Sequence, residues 1–84
     1  MNARVEAPNL TVTQMRVYTH IRLCIEHDRC PPTIHEIAAH FGWRSPNAAQ
    51  EHVNALVQKG LITRVRGVSR NIRLVELPVL QAAT

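Results

Sequence analysis

The 84-residue chain predicts a mostly α fold with a small β-hairpin: three helices followed by a two-stranded antiparallel ribbon. Three observations carry this expectation. Apolar residues recur at a helical period as far as Gly60; stop and start signals interrupt that pattern at Pro31-Pro32, Gly42, Ser45-Pro46 and Gly60; and beyond Gly60 the period drops to 2.

Residues 1–9 show no periodicity and read as a loose arm ahead of one domain over residues 10–75. A first helix is expected from about Thr13 to His27, with Val17, Tyr18, Ile21 and Ile25 on one stripe. Pro31-Pro32 halts it, since each ring removes a donor and restricts the residue before it. Thr33 and Glu36 match the reciprocal capping pattern, in which each side chain satisfies the other residue's orphan backbone donor. A short second helix therefore runs from Ile34 to about His40, burying Ile34, Ile37 and Phe41, and Gly42 closes it as a left-handed residue. Ser45 suits the N-cap of a third helix and Pro46 its first position, where a missing N–H is harmless. Ala49, Val53, Leu56 and Val57 form its apolar side, and Gly60 ends it. Leu61–Val65 and Asn71–Val75 then read as strands joined by the basic tip Arg66-Gly67-Val68-Ser69-Arg70. Residues 76–84 contain Pro78 and read as a tail that could pack briefly through Leu77, Val79 or Leu80. Three helices with a tight turn between the last two, followed by a hairpin, make a winged helix-turn-helix.

At this length only one small domain with a modest core is expected. The formal charge of +4 is unevenly placed. Residues 1–43 balance four arginines against four acids, whereas residues 44–84 hold six cations against Glu51 and Glu76. An excess confined to the half that starts with the third helix suits a surface facing a polyanion. No apolar stretch approaches the roughly 20 residues of a membrane span, and the N-terminus lacks a signal-peptide core, so a cytoplasmic, nucleoid-associated protein is expected. Two cysteines give no disulfide framework.

The side of the third helix opposite its apolar stripe carries Asn47, Gln50, Glu51, Asn54 and Gln58. Amides can hydrogen-bond adenine twice, a carboxylate can accept from cytosine N4, and Ala48 leaves room for a thymine methyl. In this architecture the third helix enters the major groove by its N-terminal residues while the preceding helix crosses the backbone. The residues of this face, with Ala48 beside them, are therefore candidates to meet base edges. Contacts to the sugar–phosphate backbone are expected from Arg44, Asn54, Lys59, Arg64, Arg66, Ser69, Arg70 and Arg73. Arginines on a hairpin also protect solvated edge strands against aggregation, which is the competing use of the same residues.

Pro31-Pro32-Thr33, Glu36-Ile37-Ala38, Phe41-Gly42, Arg44-Ser45-Pro46-Asn47-Ala48-Ala49, Lys59-Gly60 and Ser69-Arg70-Asn71-Ile72-Arg73-Leu74 together resemble the N-terminal DNA-binding domain of the SOS repressor LexA. The resemblance runs without gaps from about Leu10 to Leu74. It implies repressor-like binding to palindromic operators of SOS-box type, with half-sites resembling CTGT, read by the positions matching Ser45, Asn47, Ala48, Gln50 and Glu51. Gln50 departs from the family, which usually has a glutamate before the one matching Glu51; the exchange adds a donor and could shift the preferred half-site at one base pair. The family continues into a latent serine–lysine protease domain that dimerises and self-cleaves. Gln81-Ala82-Ala83-Thr84 has no counterpart of its Ala-Gly scissile bond, so DNA recognition without self-cleavage is expected. A single winged helix grips few phosphates, so dimerisation on DNA or association with another repressor is expected, in the manner of a phage or plasmid regulator.

His20, Cys24, His27 and Cys30 are residue types that zinc prefers, and the first three fall at i, i+4 and i+7 of a helix. Cys24 also lies beside the apolar stripe, where a free cysteine packs as a small hydrophobe, and the chain would have to reverse after Asp28 to bring Cys30 into reach. No metal, cofactor or small-molecule ligand is expected. His35, His40 and His52 suit exposed or half-exposed helix positions, with His52 near enough to the third helix's start to touch a phosphate. Trp43 is expected to cover the junction of the second and third helices, with base stacking as its competing use, and Tyr18 to lie in the core with its hydroxyl at the rim. No nucleophile–base pair, phosphate loop or carboxylate dyad points to an enzyme. The rival function is a winged-helix interaction module that pairs with a larger repressor through the first helix or the tail.

Overall fold

A computed structural model describes residues 9–75, which form α1 (Val12–Asp28), α2 (Ile34–Phe41), α3 (Pro46–Gln58), β1 (Ile62–Arg64) and β2 (Ile72–Leu74). This is the expected winged helix-turn-helix, three helices and an antiparallel two-stranded sheet. The expected tail at 76–84 lies outside the described residues, as does the expected arm apart from Asn9.

Each helix start is capped by its own sequence. Thr11 Oγ1 accepts from the Gln14 N–H at 3.0 Å, and Gln14 Oε1 accepts from the Thr11 N–H at 3.2 Å. Thr33 and Glu36 repeat this reciprocal pair at α2, at 3.1 and 3.0 Å. At α3 the cap is single: Ser45 Oγ accepts from the Asn47 N–H at 3.0 Å, and Pro46 occupies the first turn. Gly42 closes α2 at φ 74°. α1 ends differently, on Arg29 at φ 64°, whose N–H donates to the Ile25 carbonyl. Cys30 precedes a proline and is steered to extended backbone, so the reversal falls on Arg29. A left-handed non-glycine residue carries a strain of about 1–2 kcal/mol.

The core gathers Val17 and Ile21 of α1, Ile37 and Ala38 of α2, Ala49, Val53 and Leu56 of α3, and Leu61, Ile62 and Ile72 from the ribbon. α3 packs against both other helices and against β1, so it is the element the rest of the fold holds in place. Among the described residues no polar or charged side chain is buried. Val57, expected on the apolar stripe, is instead exposed. At 100° per residue it sits about 80° from Ala49, whereas Val53 and Leu56 fall within about 40°, so the core ends before reaching it.

The ribbon pairs Ile62 with Leu74, Thr63 with Arg73 and Arg64 with Ile72. Its regular ladder is three residues long where five were expected, although Val65 N–H to Asn71 O and Val75 N–H to Leu61 O extend the pairing at each end. A two-stranded ribbon is marginal by itself, and here Leu61, Ile62 and Ile72 anchor it in the core, with Leu74 packed against them. Among the described residues no helix is long and apolar enough to cross a membrane.

Candidate nucleic-acid interface

α3 presents two opposite sides by simple helical geometry. Ala49, Val53 and Leu56 are buried, while Asn47, Gln50, Glu51, Asn54 and Gln58 are exposed. Ser45 and Arg44 are exposed at its start, and Ala48 is half-buried at the margin. The helix thus displays amides, one carboxylate and one hydroxyl along a face that its own core packing leaves uncovered. Arg66 and Ser69 are exposed in the loop between the strands, with Gly67 at φ 79° allowing the chain to turn there.

Among the described residues, Arg64 is the ribbon residue whose side chain hydrogen-bonds to α3. Strand alternation directs Ile62 inward and Thr63 outward, so Arg64 returns to the side that faces the helix. Its Nη1 donates to Gln50 Oε1 and to Asn54 Oδ1, both at 3.4 Å.

Three other cations named from the sequence are held within the fold. Arg70 forms a two-pronged ion pair with Glu36, Nη1 to Oε1 and Nη2 to Oε2 at 2.7 Å each, and Nη1 also donates to the Pro31 carbonyl at 2.9 Å. The loop between the strands is thereby fastened to the first turn of α2. The Arg70 hydrogen bonds, followed by the Thr33 N–H, hold the Glu36 carboxyl well below its ordinary range, down to about 2. Reciprocally, Glu36 raises the pKa of Arg70. Lys59 Nζ donates to Gln14 Oε1 at 2.7 Å and to the Asn9 carbonyl, tying the end of α3 to the start of α1. Arg73 lies on the outer face of the ribbon and donates to the carbonyls of Arg70 and Ile72. Spacing along the chain carries no sign of these pairings, because the partners of Arg70 and Lys59 lie 34 residues or more away.

A row of rings runs from α1 across α2 into α3. His20 stacks on His40 at 3.9 Å, Phe41 stacks on Trp43 at 4.9 Å, and Trp43 tilts against His52 at 5.2 Å. Trp43 therefore covers the junction of α2 and α3, and His52, half-buried, packs beneath it. Burial first, and His40 second, lower the pKa of His20. His20 Nε2 lies 3.6 Å from Cys24 Sγ, and burial raises the Cys24 thiol. Both residues, with Cys30 and His40, line a hollow of about 600 Å³ between α1 and α2. Among the described residues no three His, Cys, Asp or Glu side chains are arranged to hold a metal ion.

The family model described as the LexA DNA binding domain matches residues 7–71. Over 65 residues the chain is 55% identical to the LexA repressor of Pectobacterium atrosepticum, covering 77% of this chain and 32% of that protein. It is 51% identical over 69 residues to the LexA repressor of Polaromonas naphthalenivorans, covering 82% and 30%. With the LexA repressor of Paracidovorax citrulli the identity is 47% over 70 residues, covering 83% and 31%. The chain thus spans roughly a third of the length of these relatives. A helix-turn-helix with an exposed, amide-bearing third helix and a family match over most of its length place one conclusion beyond the fold: the chain belongs to the LexA DNA-binding domain family.

Proposed function

We propose that this chain is a sequence-specific, double-stranded-DNA-binding regulator of repressor type, acting on the cytoplasmic nucleoid. α3 reads base edges through Ser45, Asn47, Ala48, Gln50 and Glu51 in palindromic operators of SOS-box type. Arg44, Asn54, Arg64, Arg66 and Ser69 lie along the sugar–phosphate backbone, while Arg70, Lys59 and Arg73 chiefly hold the wing and α3 in position. The observation that carries this reading is the uncovered polar side of α3, an element whose other side packs against α1, α2 and β1, with Arg64 at its flank. A single module makes few phosphate contacts, and pairing two on one palindrome raises avidity by roughly 10²–10⁴, so binding is by a homodimer formed on DNA or with another repressor chain.

Fluorescence anisotropy with a duplex carrying inverted CTGT half-sites, against a scrambled duplex at physiological salt, tests this. Preference for the palindrome is expected, with affinity falling steeply as salt rises; equal binding to both refutes sequence-specific recognition. The exposed Met15 and Leu23 on α1 support a second reading, a module that pairs with a larger repressor. Combined Asn47→Ala and Glu51→Ala substitution separates the two: a DNA reader loses the duplex and keeps any protein partner, whereas an interaction module loses neither.

A further inference from the structure

The contact between wing and α3 bears on which base is chosen. At 100° per residue from Ala49, Gln50 lies near 100° and Asn54 near 140°, on the flank of the polar stripe that adjoins β1. Arg64 Nη1 reaches both amide oxygens there, at 3.4 Å. A guanidinium has donors and no acceptor, so it meets the oxygens of Gln50 and Asn54 and leaves their NH₂ groups directed elsewhere. An amide reads adenine in two places only when its oxygen and its nitrogen are both available. With its oxygen turned to Arg64, Gln50 offers chiefly a donor, next to the remaining N–H groups of the guanidinium. A donor pair matches an edge made of two neighbouring acceptors, and in the major groove that edge is guanine O6 and N7. A carboxylate at the same place would be acceptor-only and would match cytosine N4.

We propose that Arg64 is a positioning residue for Gln50, holding its amide so that the two together select guanine at one base pair of each half-site. The proposal rests on the DNA-binding reading above. It makes the wing a contributor to base choice through α3, in addition to any hold on phosphate.

The test uses the full 84-residue chain, a palindromic duplex with CTGT half-sites, and the complete set of its symmetric single-base-pair variants. Affinities are compared as ratios within each protein variant, so a change in the fraction of folded protein cancels. The wild type is expected to favour guanine at one position by about tenfold. Gln50→Glu should move the preference at that position to cytosine. Arg64→Ala should flatten that position while the ratios at the others persist, and Arg64→Lys, which restores charge without the planar fork, should recover affinity but not the guanine preference. If Arg64→Ala weakens every duplex equally and the ratio at that position survives, Arg64 is a phosphate contact only; the proposal falls and the DNA-binding reading stands. If the wild type binds all duplexes alike, both fall.

Discussion

Replacing Ser45 separates what the start of α3 does for stability from what it does for binding. The hydroxyl accepts one hydrogen bond, from the Asn47 N–H at 3.0 Å. Pro46 contributes no N–H of its own, and Ala48, at the place where Glu36 and Gln14 answer their caps in the other helices, has no side chain to reciprocate. One capping bond is therefore at stake, and Ser45→Ala should cost about 1 kcal/mol. For a domain of this size that lowers the melting temperature by about 4–8 °C, readable by circular dichroism. Ser45→Asp keeps an acceptor at the cap and adds a charge that the helix dipole favours, so it should melt at or above the wild-type temperature. Facing DNA, the same carboxylate meets phosphates, and affinity for the palindrome should fall by more than about tenfold. The reasoning is refuted in its first half if Ser45→Ala melts with the wild type. It is refuted in its second half if Ser45→Asp binds the palindrome as tightly as serine does.

The Glu36 carboxyl sits near 2 in the folded chain and near 4.5 when free of its partners, so its stabilising effect is complete above about pH 4.5 and is lost as pH falls towards about 2. Chemical denaturation across this window should show Glu36→Gln less stable than the wild type near neutrality and the gap closing in acid, since glutamine keeps the capping hydrogen bond but not the ion pair. Gly42→Ala should cost about 1 kcal/mol purely through backbone strain, because a Cβ there meets no atom within 4 Å while φ is +74°; Gly42→Asn should cost less, as measured by the same unfolding curves. Leu56→Ala, at a fully buried position in the shared core, should lose about 2–5 kcal/mol, with the urea midpoint falling at unchanged slope.

Features written in neighbouring residues are legible from the chain alone. Thr33 with Glu36, Gly42, and Ser45 with Pro46 fix their turns by contacts within four residues, and the buried residues of α3 follow from its period. The cap at Thr11 is written in the same way, since Gln14 stands three positions on, yet apolar periodicity by itself starts the helix near Thr13 and passes over it. Arg29 as a left-handed terminus has no such signal, because glycine is the residue that usually announces one. The roles of Lys59, Arg70 and Arg64 depend on how the helices cross and which side of β1 faces α3. A long cationic side chain carries the same sequence signal whether it ends on a carboxylate of its own chain or in solvent. Charge distribution can mark the second half of the chain as basic; it cannot sort its arginines into those that hold the wing and those that stay exposed.

Trp43 is the chain's single tryptophan, held between Phe41 of α2 and His52 of α3. Its indole is thus an unlabelled optical gauge of the elbow between the two helices. An indole's emission responds to the packing of the groups around it, so fluorescence reports on how Phe41 and His52 hold the ring. Any ligand that tilts α3 relative to α2 should alter the signal as well, allowing occupancy and elbow geometry to be followed in one cuvette without attaching a dye.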